Sequence, residues 1–252
     1  MPLTALVRAL DAKLELSRFE DVSHNGLQVA RSDKPIRAIA CGVDASLPFF
    51  EAAAARGADL LICHHGLSWG DSLKRITGLN YRQLAFLIEH DMALWACHLP
   101  LDAHARLGNN AILARALGLR VIKPFGDYHG MTIGWSGTLP RAIERERFQQ
   151  RLADILHTEI RVMPFGHATL RTVGIVSGGA AEMVDQAAAA GLDAFVSGEA
   201  TLQGFNLAQQ HAVNAFFGGH YATERFGVEA VGRWIRDTTG IPADFIDLRL
   251  AY

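Results

Sequence analysis

One structural design is written twice into this chain, and it restricts the fold more than any other feature. Residues 38–66 read AIACGVDASLPFFEAAAARGADLLICHHG, and residues 172–200 read TVGIVSGGAAEMVDQAAAAGLDAFVSGEA. Each is a short apolar run, a turn of small residues, an alanine-rich stretch, a glycine and a second apolar run. Short apolar runs bounded by turn residues are the pattern of buried strands, and alanine is the best helix former. The glycines align at Gly57 and Gly191, where a helix C-terminus favours a residue tolerant of positive φ, and Asp59 and Asp193 follow at matched positions. Each segment is therefore predicted to be a β-α-β unit with its two strands parallel.

The correspondence continues downstream. Residues 80–102 and 201–224 each read as a further helix and strand. Both strands run into a histidine, His98 and His220, and both histidines are followed four positions later by a carboxylate, Asp102 and Glu224. The first copy has extra residues around 69–77, the expected place for a loop over a site. Between the copies, residues 126–168 read as strands flanking one helix near 144–156. The C-terminus reads as a helix ending near Thr239-Gly240, with Pro242 beyond, and a last strand. The expected fold is α/β: two similar three-layer lobes related by internal duplication, residues 1–125 and 126–252, with mixed sheets and room for strand exchange.

In α/β sheets, functional groups collect beyond the carboxyl ends of parallel strands. His64 and His65 end one such strand, His98 and Asp102 follow another, and His220 and Glu224 follow a third. A pseudo-twofold relation would bring these loops face to face, with a metal site between the lobes. Imidazole with carboxylate suits Zn²⁺, Mn²⁺, Fe²⁺ or Ni²⁺, whereas Mg²⁺ and Ca²⁺ prefer all-oxygen shells. Three histidines and two carboxylates exceed the needs of one catalytic zinc. Adjacent side chains in an extended segment point opposite ways, so His64 and His65 would serve two neighbouring ions, with a carboxylate bridging. Ions roughly 3.5–4 Å apart can clamp a phosphoryl or carbonyl oxygen between them. Taken singly, a histidine pair is more often structural, and His-x-x-x-Glu more often a helix N-terminal contact. Recurrence at matched positions in two copies favours the metal reading. His24, His90, His104, His129, His157, His167 and His211 are left as solvent or core residues.

Charge and cysteine usage exclude other classes. The net charge is −2, and the signs alternate along RAIERERFQQR (141–151), as on a solvated helix face, so nucleic-acid binding driven by charge is disfavoured. Three cysteines, Cys41, Cys63 and Cys97, lie in apolar runs without a Cys-x-x-Cys pair, which reads as buried, reduced thiols. The N-terminus is an amphipathic helix rather than a signal peptide, and no apolar stretch is long enough to span a bilayer. A cytoplasmic protein is expected.

The strings NGLQV (25–29), GADLLICHHG (57–66), CHLPLDAH with LGNNA (97–111), DAFVSGE (193–199) and GGHYATERFGVEAV (218–231) together resemble the NIF-three-like dinuclear metal-centre family. Its bacterial short members are labelled GTP cyclohydrolase I type 2 homologues. The resemblance spans nearly the whole chain. It implies two divalent ions, one held by His64 and Asp102, the other by His65 and His220, with Glu224 bridging. It also implies a homohexameric ring, a trimer of dimers. The activity so implied is metal-dependent hydrolysis of a nucleotide or another phosphorylated small molecule, with Glu224, His98 and Glu199 as candidate catalytic residues. SGGAAE (177–182) is a candidate phosphate-holding turn, though a plain strand-to-helix turn is its ordinary role. Trp69 stands beside the histidines either as a base-stacking residue or as part of a lid. The alternative function is a non-catalytic metal-handling or regulatory ring protein.

Overall fold

A computed structural model describes residues 1–250. The chain begins with α1 (Leu3–Lys13), β1 (Gly26–Val29), β2 (Ile39–Asp44), α2 (Leu47–Ala54), β3 (Leu60–His65), α3 (Gly78–Glu89), β4 (Ala93–Ala96) and the short α4 (Leu99–Ala103). It continues through α5 (Asn109–Ala116), β5 (Arg120–Tyr128), β6 (Met131–Glu144), α6 (Arg145–Leu156), β7 (Arg161–Pro164) and β8 (Thr169–Ile175). The second repeat supplies α7 (Val184–Ala189), β9 (Ala194–Ser197), α8 (Leu202–His211) and β10 (Asn214–Phe217). The chain closes with α9 (His220–Thr239) and β11 (Ala243–Phe245). No helix among the described residues is long and apolar enough to cross a membrane.

The strands form two mixed sheets, a five-stranded one ordered β1-β4-β3-β2-β11 and a six-stranded one ordered β5-β6-β8-β9-β10-β7. Each sheet has a parallel core made by one repeat. In the first, β2 pairs β3 and β3 pairs β4, with Leu60 opposite both Ile39 and Ala93. In the second, β8 pairs β9 and β9 pairs β10, with Ala194 opposite both Val173 and Asn214. The duplication extends to side chains. The Asp59 carboxylate accepts from the amides of Arg37 and Ala38 at 2.7 and 3.2 Å. The Asp193 carboxylate accepts from Arg171 and Thr172 at 2.8 Å each. Each aspartate thus pins the entry of one strand to the exit of the helix beside it. Gly57 and Gly191 both take left-handed φ, at 68° and 66°, in open space.

Both units are three-layered. Ala40, Leu61, Cys63 and Leu94 on the first sheet pack with Phe49, Phe50 and Leu87 of α2 and α3. On the opposite face Trp95 Nε1 donates to Asp11 of α1 at 2.9 Å, and Gly232 of α9 packs on Cys41. Alternate residues of a strand face opposite layers, so both layers demand apolar residues, and the strands read as continuous hydrophobic runs. In the second unit α5 and α6 cover one face of β6, β8, β9 and β10, with Phe148, Leu152 and Phe216 at the centre. All three cysteines are buried and reduced. Burial pushes the Cys41 thiol up to about 12, and burial likewise raises Cys63 well above its ordinary value.

Contacts divide the chain into two compact units, one of Met1–Leu101 with Gly227–Arg249, the other containing Asp102–Phe226. The repeat predicts a single boundary near residue 125. The chain instead passes from one unit to the other inside α4 and returns inside α9. β11 then joins the first sheet parallel to β2, Ala243 opposite Ile39, so the C-terminal strand belongs to the sheet of the first repeat. A helix that continues across a boundary leaves no loop composition to mark it.

Candidate metal centre

In the first unit, β3 carries four buried apolar or thiol residues into His64 and His65. The chain then turns at Gly66, where Gln28 is clamped: its Oε1 accepts from the amides of Leu67 and Ser68 at 2.7 and 3.0 Å. A Cβ at position 66 would overlap that carboxamide and push it off these two hydrogen bonds. His98 follows β4 by two residues and is fixed at its own amide, which donates to Asn25 Oδ1 at 2.7 Å. His64, His65 and His98 each offer a ring nitrogen within 4.8 Å of the others, close enough to share an ion.

Each of these rings is held at Nδ1. His64 Nδ1 lies 2.9 Å from the Cys97 carbonyl oxygen, His65 Nδ1 2.7 Å from Asp44 Oδ1, and His98 Nδ1 3.0 Å from Asp21 Oδ1. A carbonyl oxygen accepts only, so Nδ1 of His64 carries the proton and Nε2 the lone pair. Carboxylates impose the same tautomer on the other two. This outer arrangement is characteristic of metal-ligating histidines, since it fixes the ring and raises the basicity of the outward nitrogen. Asp21 also accepts from the Leu99 amide at 3.0 Å and from Asn25 Nδ2 at 3.0 Å. Burial works to raise the Asp21 carboxyl, but hydrogen bonds from His98, Asn25 and the Ser23 amide, with the charge of His98, outweigh it and hold it at about 2. Trp69 closes the side of this group. Its ring centroid lies 4.8 Å from that of His98 with the planes 71° apart, and its Nε1 donates to the Gly66 carbonyl at 2.6 Å.

In the second unit, His220 opens α9 and Glu224 stands one turn later, which brings His220 Nε2 to 3.1 Å from Glu224 Oε2. His220 Nδ1 is held 2.5 Å from Glu199 Oε1. Glu199 therefore orients an imidazole, the role that Asp44 plays for His65. Glu224 and Asp102 are 3 % and 5 % exposed, and their oxygens lie within 4.8 Å of each other. Two carboxylates so close and so buried repel unless a cation or a proton sits with them. Asp102 Oδ1 is fixed by Asn109 Nδ2 at 2.8 Å and Ser177 Oγ at 3.0 Å. Gly178 takes a left-handed φ of 67°, and a Cβ there would overlap Glu224 Oε1 and lie 3.0 Å from His220 Nε2.

Three amides of the turn at 177–182 are engaged within the fold. The Ser177 amide donates to Asn110 Oδ1 at 2.7 Å, Gly178 to Thr223 Oγ1 at 3.1 Å and Ala180 to Ser197 Oγ at 3.3 Å. Their donors are spent inside the fold, and a 3-10 turn at Ala181–Met183 follows. The residues that sequence reasoning passed over are Asp21, Asn25, Asp44, Asn109 and Ser177. Two of the quoted strings, NGLQV and LGNNA, contain Asn25 and Asn109, and their chemistry emerges only from their partners.

A family model described as Duf34/NIF3 (NGG1p interacting factor 3) matches residues 1–249. A protein of Deinococcus radiodurans named GTP cyclohydrolase 1 type 2 homolog is 44 % identical over 242 residues, which cover 96 % of this chain and 91 % of that one. An Archaeoglobus fulgidus protein of the same name is 40 % identical over 248 residues, 98 % of each chain. Among solved structures, the protein TTHA1606 from Thermus thermophilus matches with a TM-score of 0.90 at 34 % identity, over the full length of both chains.

Proposed function

The chain belongs to the Duf34/NIF3 family, and from that and from the two donor sets we propose that it is a dinuclear metal-dependent hydrolase acting on a nucleotide or another phosphorylated small molecule. In this reading both donor sets would contribute ligands. His64 and Asp102 would hold one ion and His65 and His220 the other, with Glu224 serving both. Continuity supports this: Asp102 follows His98 within four residues, and both α4 and α9 run from one unit into the other. The chemistry of the donors supports it too. Imidazoles with an Nδ1 held by an acceptor, and buried carboxylates close together, fit borderline divalent ions such as Zn²⁺, Mn²⁺, Fe²⁺ or Ni²⁺.

When bound, the two ions would supply Lewis acidity, polarising a phosphoryl or carbonyl oxygen and making water more acidic. The chain supplies the rest. Asp102 presents Oδ2, because Oδ1 is taken by Asn109 and Ser177. Glu199 and Asp44 keep His220 and His65 in one tautomer. His98, whose Nδ1 is held by Asp21, would hold or move a proton at Nε2. The observation that carries the proposal is the common Nδ1 anchoring of His64, His65 and His220. The ring-shaped homohexamer is part of the same reading and rests on family resemblance alone; light scattering on the purified protein tests it.

The activity is tested with metal-loaded protein against a panel of nucleotides, phosphodiesters and cyclic amides with Mn²⁺, Zn²⁺ and Fe²⁺. Turnover restored by metal and abolished in Glu224→Gln supports a hydrolase. Full metal occupancy with no product from any class contradicts it.

A further inference from the structure

We propose that the cleft beside His220 and Glu199 seats the anionic group of the substrate, with Arg161 as its anchor and Glu159 as a discriminating partner. The inference rests on the hydrolytic reading above and names where the substrate is held. The cleft has a volume of about 340 Å³ and is lined by Glu159, Arg161, Gly198, Ala200, Phe217 and Gly219. That is the size of a small-ligand site. Two of its walls adjoin the second donor set, since Gly198 precedes Glu199 and Gly219 precedes His220. Arg161 pairs with Phe217 at the end of β10, and Phe217 lies opposite Ser197 at the end of β9. The cleft therefore opens at the carboxyl ends of these parallel strands, the end at which α/β folds bind ligands.

Neither the Arg161 guanidinium nor the Glu159 carboxylate makes a hydrogen bond or ion pair with another described residue. The two are two positions apart and line the same cleft. A guanidinium fork fits a phosphate or carboxylate bidentately. A carboxylate beside it accepts from an N–H donor and repels a second anionic charge. The ligand class that satisfies both is a small molecule bearing one phosphate or carboxylate and, next to it, an amine or amide N–H. Phe217 adds an apolar wall. Discrimination against polyanions lacking a donor follows from Glu159.

Calorimetric titration of full-length, metal-loaded protein with inorganic phosphate, and in parallel with acetate, tests this, with metal content measured for every variant. Arg161→Gln weakens binding about tenfold, the loss of a charge-assisted pair, without lowering metal content. Arg161→Lys keeps part of the affinity, and Glu159→Gln tightens it a few-fold by removing a like charge. A stronger response to phosphate assigns a phosphorylated ligand; a stronger response to acetate assigns a carboxylated one. Equal binding by wild type and Arg161→Gln, or no binding of either anion by wild type, overturns the assignment. Absence of metal from every variant defeats the metal-centre reading instead, and the Arg161 effect remains separately readable.

Discussion

Glu199 Oε1 lies 2.5 Å from His220 Nδ1, while the other nitrogen of the same ring lies 3.1 Å from Glu224 Oε2. One imidazole thus joins an orienting carboxylate to a buried one. The first histidine set repeats the motif with Asp44 behind His65 and Asp21 behind His98. Removing such a partner typically costs 10–100-fold in metal affinity. Glu199→Ala is therefore expected to weaken metal binding by about that factor without unfolding the protein. Competition against a chromogenic chelator measures it, and an unchanged affinity would mean that Glu199 does not orient His220.

Glycine positions separate local strain from damage to the site. Gly191 and Gly178 share a left-handed φ, 66° and 67°, but a Cβ at Gly191 meets nothing within 4 Å whereas one at Gly178 meets Glu224 and His220. Gly191→Ala should cost about 1–2 kcal/mol, the penalty of a left-handed alanine, and leave metal content intact. Gly178→Ala should cost at least as much and also displace Glu224, lowering the bound metal. Thermal melts with elemental analysis of both variants distinguish the two effects. Equal metal content in both would show that Glu224 tolerates the shift.

The layout of the fold was legible because its cause is local. Apolar runs, alanine-rich helices and Gly57 and Gly191 at matched positions define the repeat, and the strands that end in His64-His65 and run toward His98 and His220 follow from it. Asp21, Asp44 and Ser177 were not legible. Asp21 reaches His98 across 77 residues and Ser177 reaches Asp102 across 75, and no periodicity records such a pairing. The unit boundaries were missed for a related reason: repeats report duplicated sequence, whereas compact units report where the chain packs.

Acid stability should carry the mark of Asp21. Its carboxyl sits at about 2 in the folded chain against an ordinary 3.8. A depressed carboxylate contributes stability that is complete above the unfolded value and is lost as pH falls through the folded one. For metal-free protein this amounts to about 2 kcal/mol, present at pH 5 and lost between pH 4 and pH 2. Asp21→Asn should lower stability at pH 5 and flatten that part of the curve. Parallel curves for wild type and variant in urea titrations across this range would contradict the assignment.

Thiol chemistry offers a check on the core. With Cys41 raised to about 12 and Cys63 raised well above its ordinary value, both by burial, neither forms appreciable thiolate near neutrality. Iodoacetamide at pH 8 should label neither in the native protein and both after denaturation, as intact-mass spectrometry reads. Rapid native labelling of Cys63 would show that β3, which carries His64 and His65, opens readily.

The most direct test of the twin-ion centre is elemental analysis of the purified protein, with reloading after chelation. Two divalent ions per chain are expected for wild type. His65→Ala should fall to about one ion, with His64 and Asp102 still holding theirs, and Glu224→Ala should weaken both. A wild-type protein that is purified empty and takes up no ion on reloading, or one that never exceeds a single ion, would contradict the account.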